Sequence, residues 1–130
     1  MIIKNLEMLR KIYAKPKGRT VDKVLPKLER HSINFINHSC MVILSTVNAE
    51  GKIDASPRGG TAGFVKVLDD NRIILPDASG NNRIDSLVNV VEQGHVGLLF
   101  IIPGINETLR INGKALISTE QALFDLYEVE

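Results

Sequence analysis

At Met41 the hydrophobic pattern changes from helical spacing to a succession of short strand-like runs. No other feature constrains the fold as much. The run MVILSTV at 41–47 is apolar and rich in β-branched residues, and NAEG at 48–51 closes it. It reads as a buried strand ending in a turn. Lys52–Ser56 then returns antiparallel across that hairpin. Phe64–Leu68 and Arg72–Leu75 form a second hairpin around Asp69, Asp70 and Asn71, residues that favour turns. Asn82–Gln93 places Ile84, Leu87, Val88 and Val91 at helical offsets. His95–Ile102 is a nearly continuous apolar strand, and Pro103-Gly104-Ile105-Asn106 turns it into Glu107–Ile117. Six short strands with one helix between the fourth and fifth predict a mainly β fold. Curling into a six-stranded antiparallel barrel is expected, because closure removes exposed sheet edges.

The lead-in is helical. Leu6, Leu9, Ile12 and Tyr13 recur at helical spacing within 5–13, and Ala14–Thr20, with Pro16 and Gly18, reads as a connector. Pro26 suits the first turn of a second helix, with Leu28, Phe35 and Ile36 on one face, running to about His38. The end, STEQALFDLYEVE, starts with a Ser/Thr cap candidate and reads as helix. A chain of 130 residues suits one domain. Its parts are a helical lead-in at 1–38, a barrel at 41–117 and a terminal helix at 118–130.

Composition removes several classes. Hydrophobic residues at 44% and charged residues at 24% exclude disorder and low complexity. A net charge of +1 gives no case for a dedicated nucleic-acid binder. No apolar run approaches the ~20 residues of a membrane helix, and charges interrupt the N-terminus too often for a signal-peptide core. The one cysteine, Cys40, cannot form an internal disulfide, so a cytoplasmic protein is expected. Cys40 itself reads as a small core residue. The charge is unevenly spread: residues 1–30 carry nine basic and three acidic side chains, residues 31–130 seven and twelve. A solvated helical face is the simplest account of the basic segment, since no aromatic residues interleave to stack on bases. Docking on an acidic surface is the alternative.

The candidate chemistry lies in three stretches. In Asp54–Gly63, three glycines, Gly59, Gly60 and Gly63, follow Ser56 and Arg58 closely. Glycines let a backbone approach a ligand, and arginine binds phosphate oxygens in bidentate fashion. In Pro76–Arg83, Asn82 with Asp85 three residues on resembles a capping arrangement. Arg83 then falls in a first helical turn, where the dipole disfavours a cation unless an anion is bound. Pairing of Arg83 with Asp77 or Asp85 is the plainer account. In the last strand, Thr108, Arg110 and Asn112 share one face while Leu109 and Ile111 share the other. His31, His38 and His95 lack metal-ligand spacing, and the chain has no P-loop, G-x-G-x-x-G or G-x-S-x-G. Any catalysis would therefore rest on a bound cofactor.

The stretches DASPRG at 54–59, GFVKVLDD at 63–70, ILPDASGNNRIDSL at 74–87, VGLLFIIPG at 96–104 and ETLRINGKALIS at 107–118 carry a family resemblance. The chain resembles the pyridoxamine 5′-phosphate oxidase-like FMN-binding split-barrel family, especially its bacterial members. The resemblance implies a six-stranded antiparallel split β-barrel with N-terminal helices, and a homodimer with FMN at the subunit interface. It places Ser56, Arg58 and Gly59 where the second strand meets the ribityl phosphate, and Leu75 and Pro76 along the flavin. It places Asn81, Asn82 and Arg83 at the phosphate by the helix start, and Thr108 where the neighbouring subunit approaches the ring. The arginine and histidine cluster of true pyridoxamine phosphate oxidases has no counterpart, so that activity is not expected.

Three functions follow from these readings. The first is a flavin-dependent oxidoreductase acting on a small organic substrate. The second is a non-catalytic module that binds or sequesters FMN. The third is a dimeric interaction protein without cofactor, using its basic N-terminal segment as a contact surface.

Overall fold

Alternation along one strand sets the architecture. In the computed structural model, which describes residues 2–13, 27–77 and 84–127, β1 (Met41–Val47) buries Val42, Leu44 and Thr46, every second residue. The other described elements are α1 (Leu6–Ile12), α2 (Arg30–His38), β2 (Ile53–Gly59), β3 (Lys66–Asp69), β4 (Arg72–Ile74), α3 (Asp85–Gln93), β5 (His95–Ile101), β6 (Thr108–Lys114) and α4 (Gln121–Phe124), the last continuing into a 3₁₀ turn at Asp125–Tyr127. The expected connector at 14–20 and Pro26 lie outside the described residues. No described helix is long and apolar enough to cross a membrane.

The six strands fall into two antiparallel sheets, one of four strands in the order β2-β1-β5-β6 and one of two, β3-β4. This mainly β arrangement with helices is consistent with a split barrel, but the single closed sheet expected from strand count is not what forms. Among the described residues, β3 and β4 are short and pair only with each other, through Lys66 with Ile74, Val67 with Ile73 and, past a register shift, Asp69 with Arg72. The hairpin instead joins the core through the side chains of Val67, Ile73 and Leu75.

That core lies on one face of the larger sheet. Val42 pairs with Phe100 and Leu44 with Leu98 across β1 and β5, and directly opposed residues share a face. Phe35 and Ile36 from α2, and Phe64 and Val65 from the loop before β3, close over them. Cys40 does not join this core. It is exposed, because it precedes β1 in a bend where the strand alternation does not apply, and the adjacent Ser39 is buried instead, its hydroxyl donating to the Phe35 carbonyl at 2.8 Å.

Several boundaries shift. β2 runs to Gly59 rather than Ser56, so Pro57 and Arg58 belong to a strand, and proline is tolerated there because β2 is a sheet edge. β6 ends at Lys114, three residues before Ile117. The helix between β4 and β5 begins at Asp85, with Ile84 as its N-cap residue, and Gly94 ends it at φ 71°, a conformation glycine adopts without strain. Asn82, the expected cap, lies outside the described residues.

The C-terminal 3₁₀ turn is fastened to the smaller sheet. The Tyr127 hydroxyl donates to the Phe64 carbonyl at 2.8 Å, and the Lys66 ammonium sits 5.3 Å from the Tyr127 ring centroid. Burial pushes the Tyr127 hydroxyl above the ordinary tyrosine value of 10.0. The unfolded chain therefore loses this proton first as pH rises, so the contribution is intact below about pH 10 and is lost above it. Tyr127→Phe should lower neutral-pH stability by about 1 kcal/mol and flatten the alkaline fall, both read from urea unfolding across pH. Phe100→Ala, at the largest fully buried side chain, should cost about 3–5 kcal/mol in the same assay.

Candidate functional site

The edge strand β2 carries polar residues onto the core face of the sheet. Its register sets Asp54 opposite Thr46, Ser56 opposite Leu44 and Arg58 opposite Val42, so all three point to the side on which the core is built. An edge strand has no neighbour beyond it to continue an apolar layer, and α3 covers this place instead. The helix buries Ser86, Asn89 and Val90, while Ile84, Val88 and Val91, which recur at helical spacing, face outward and are exposed. The polar face turns inward because the sheet edge offers it hydrogen-bonding partners, and unpartnered buried polar groups are costly.

These partners form a connected chain. The Ser86 hydroxyl donates to the Asp54 carboxylate. Ser56 Oγ lies 3.5 Å from Ser86 Oγ. Arg58 Nε donates to Ser56 Oγ at 3.4 Å, and Arg58 Nη1 donates to Asp77 Oδ1 at 2.6 Å. Asn89 Nδ2 donates to Thr46 Oγ1 at 3.0 Å, in buried surroundings. The Arg58 side chain is only 10% exposed, whereas that of Asp77 is 45% exposed. A guanidinium and two hydroxyls beside the first turn of a helix suit an anion such as phosphate. The two carboxylates set the local charge against it.

The structure brings Ser56 and Arg58 together as the sequence suggests, with Leu75 and Pro76 half-buried in the segment leading from β4 to Asp77. Asn81, Asn82 and Arg83 lie outside the described residues. The carboxylate considered as a partner for Arg83, Asp77, is paired with Arg58. Thr108 opens β6 opposite Ile101, with its side chain on the other face of the sheet and at the other edge from Arg58. Three strand spacings, roughly 14 Å, separate these edges, and the two side chains point to opposite faces of the sheet, so within one chain they do not meet.

The glycine stretch has a packing role. A Cβ on Gly59 would lie 3.2 Å from the Cys40 carbonyl oxygen, one on Gly60 2.9 Å from Phe64 Cβ, and one on Gly63 3.1 Å from the Asn37 carbonyl oxygen. The room these glycines save is filled by α2, the bend after it and the core. Asp54, Ser86 and Asn89 escaped sequence reasoning, and Asp77 entered it only as a partner for Arg83. Period-two spacing on β2 could have found Asp54, once Ser56 and Arg58 were placed on one face.

Two surface clefts lie elsewhere. One of about 560 Å³ is lined by Asn37, Ala62, Gly63, Lys66 and neighbours, and one of about 270 Å³ by the outward apolar face of α3. Neither is lined by Arg58 or its partners. Among the described residues, no group of three or more His, Cys, Asp or Glu side chains could hold a metal ion.

A helix-covered sheet edge with a nearly buried arginine, in a mainly β chain with a separate two-stranded sheet, defines a small domain of split-barrel type. The family described as pyridoxamine 5′-phosphate oxidase matches residues 28–129, and the chain belongs to that family. The fold is similar to crystal structures of tagged HupZ from Group A Streptococcus. A histidine-to-alanine variant of HupZ is 20% identical with TM-score 0.59, covering 75% of this chain and 76% of the other. A second HupZ structure is 22% identical with TM-score 0.57, covering 76% and 73%. No curated protein is significantly similar in sequence.

The Asn89–Thr46 hydrogen bond is the floor of this region. Asn89→Ala should cost about 1–3 kcal/mol, because the Thr46 hydroxyl is left buried without its partner. Urea unfolding measures the loss, and Asn89→Ala combined with Thr46→Val should recover part of it.

Proposed function

We propose that the chain binds FMN through its ribityl phosphate and serves as a flavin-dependent oxidoreductase for a small organic substrate. One observation carries this reading: Arg58, nearly buried on the core face of an edge strand, is held beside Ser56 and Ser86 at the start of α3. Buried arginines are rare unless paired, and a guanidinium beside hydroxyls and a helix N-terminus is a phosphate-binding donor set. Ile84 provides no side-chain cap to that helix, which suits an anion there. Family membership supports the same ligand class.

In this reading Arg58, Ser56 and Ser86 hold and orient the phosphate, while Leu75 and Pro76 present an apolar wall to the ring. Asn81, Asn82 and Arg83 complete the phosphate cradle from the segment before α3. Bound flavin supplies two-electron chemistry, a hydride gained by the ring being one lost by the substrate, or the reverse. The protein contributes orientation and electrostatics.

The working unit is a homodimer, with the cofactor between subunits and the two sheets completing a split barrel. Two features support it. Thr108 and Arg58 do not meet within one chain, and the outward face of α3 leaves Ile84, Val88 and Val91 exposed, a patch that calls for a partner. A module that binds FMN without turnover is the second reading, favoured by the engagement of the Asp54 and Asp77 carboxylates with neighbouring side chains.

The purified protein should show a flavin absorbance spectrum, or acquire one on titration with FMN. Arg58→Ala should weaken FMN binding by about 1.5–3 kcal/mol, the scale of a hydrogen bond to a charged group, with riboflavin affected less. A colourless protein that does not take up FMN sinks the reading. Reduction of the bound flavin by NADH or NADPH separates the oxidoreductase from the module.

A further inference from the structure

We infer that Asp77 is a built-in competitor for the anion site. Its carboxylate holds the Arg58 guanidinium when no ligand is bound and must leave for a phosphate to enter. The inference rests on the FMN reading above and concerns what sets the anion affinity of that site. The contact is direct: Arg58 Nη1 donates to Asp77 Oδ1 at 2.6 Å, a charge-assisted bond on a group that would otherwise meet phosphate oxygens.

Burial decides which partner moves. Arg58 is 10% exposed and is tied by Nε to Ser56, at 3.4 Å, within a hydrogen-bonded strand. Its guanidinium cannot swing into water without vacating the core face of the sheet. Asp77 is 45% exposed and stands three residues past the end of β4, outside any ladder. Its carboxylate can turn to solvent at little cost, so ligand entry exchanges one anion for another on a stationary arginine.

The other carboxylate of the site cannot take over this role. Asp54 accepts from the Ser86 hydroxyl and is placed by the β2 register opposite Thr46, four residues back along the strand from Arg58. Asp77 therefore weakens the binding of every anion at Arg58 by the same factor, set by the fraction of molecules in which the ion pair is open. A ligand without an anionic group, such as riboflavin, is unaffected by it.

The test is flavin-fluorescence titration of the wild type, Asp77→Asn and Asp77→Ala with FMN and with riboflavin, after circular dichroism has checked that each variant is folded. Removing the competing charge should tighten FMN binding roughly two- to fivefold, the scale of a partly exposed ion pair, and leave riboflavin binding unchanged. Binding of FMN by the variants alone supports the same conclusion. Equal or weaker FMN binding by both variants, with the wild type still binding, overturns the competitor role and makes Asp77 a bystander or a support for Arg58. The FMN reading survives that result. If neither the wild type nor either variant binds FMN, the FMN reading falls and the inference falls with it.

Discussion

The pairing of β1 with β5 under α2 is the constraint from which the rest of the structure follows. Val42 and Leu44 meet Phe100 and Leu98 on one face, and Phe35, Ile36, Phe64 and Val65 close that face from above. Close-packed interiors tolerate little displacement, so the orientation of β1 is settled by its apolar side chains. β2 must then pair with a strand whose register is already determined. Its residues opposite Val42, Leu44 and Thr46 are Arg58, Ser56 and Asp54, and they are carried onto the core face whether or not they are apolar. The polar site is thus a consequence of the hydrophobic core, placed where the core layer runs out at a sheet edge.

The helix that covers this edge answers two demands. It gives Asp54 and Thr46 hydrogen-bonding partners in Ser86 and Asn89, and its start stands beside Arg58 and Ser56. Meeting those demands turns Ile84, Val88 and Val91 outward. A small domain buries a limited fraction of its surface, and here the shortage is visible as apolar side chains on α3 with no described element over them. A partner over that patch would relieve the exposure. The same economy explains the glycines at 59, 60 and 63. They let α2, the bend after it and the core approach the second strand and its loop closely, which stiffens the strand that carries the arginine.

Much of this was legible in the residues. The six strands, the helix between the fourth and fifth, and the polar face of Thr108, Arg110 and Asn112 all follow from periodicity, because backbone geometry imposes period two or 3.6 on any segment that must be half-buried. That Ser56 and Arg58 share one strand face does not follow from it, because the residues predict a strand ending at Ser56 and β2 runs to Gly59. Other features were not legible. Cys40 looked like core and is exposed, since alternation begins only with the strand itself. That Ile84, Val88 and Val91 of α3 face outward is not legible either, because periodicity reports that a helix has two faces and not which of them a neighbour selects. Asp77 stands out locally only as a partner for Arg83. Its role depends on a contact with Arg58, nineteen positions earlier in the chain.

The sequence by itself determined the strands, their hairpins, the glycines at the end of the second strand and after it, and the family to which the chain belongs, because each is written in residues close together along the chain. Only the tertiary structure decided that the strands divide into two sheets, that α3 lays its polar side on a sheet edge, and that a nearly buried arginine meets a half-exposed aspartate there. Those outcomes depend on which distant surfaces find one another. Burial, which decides whether a charge is held in place or free to leave, is a property of the assembled fold and of no single segment.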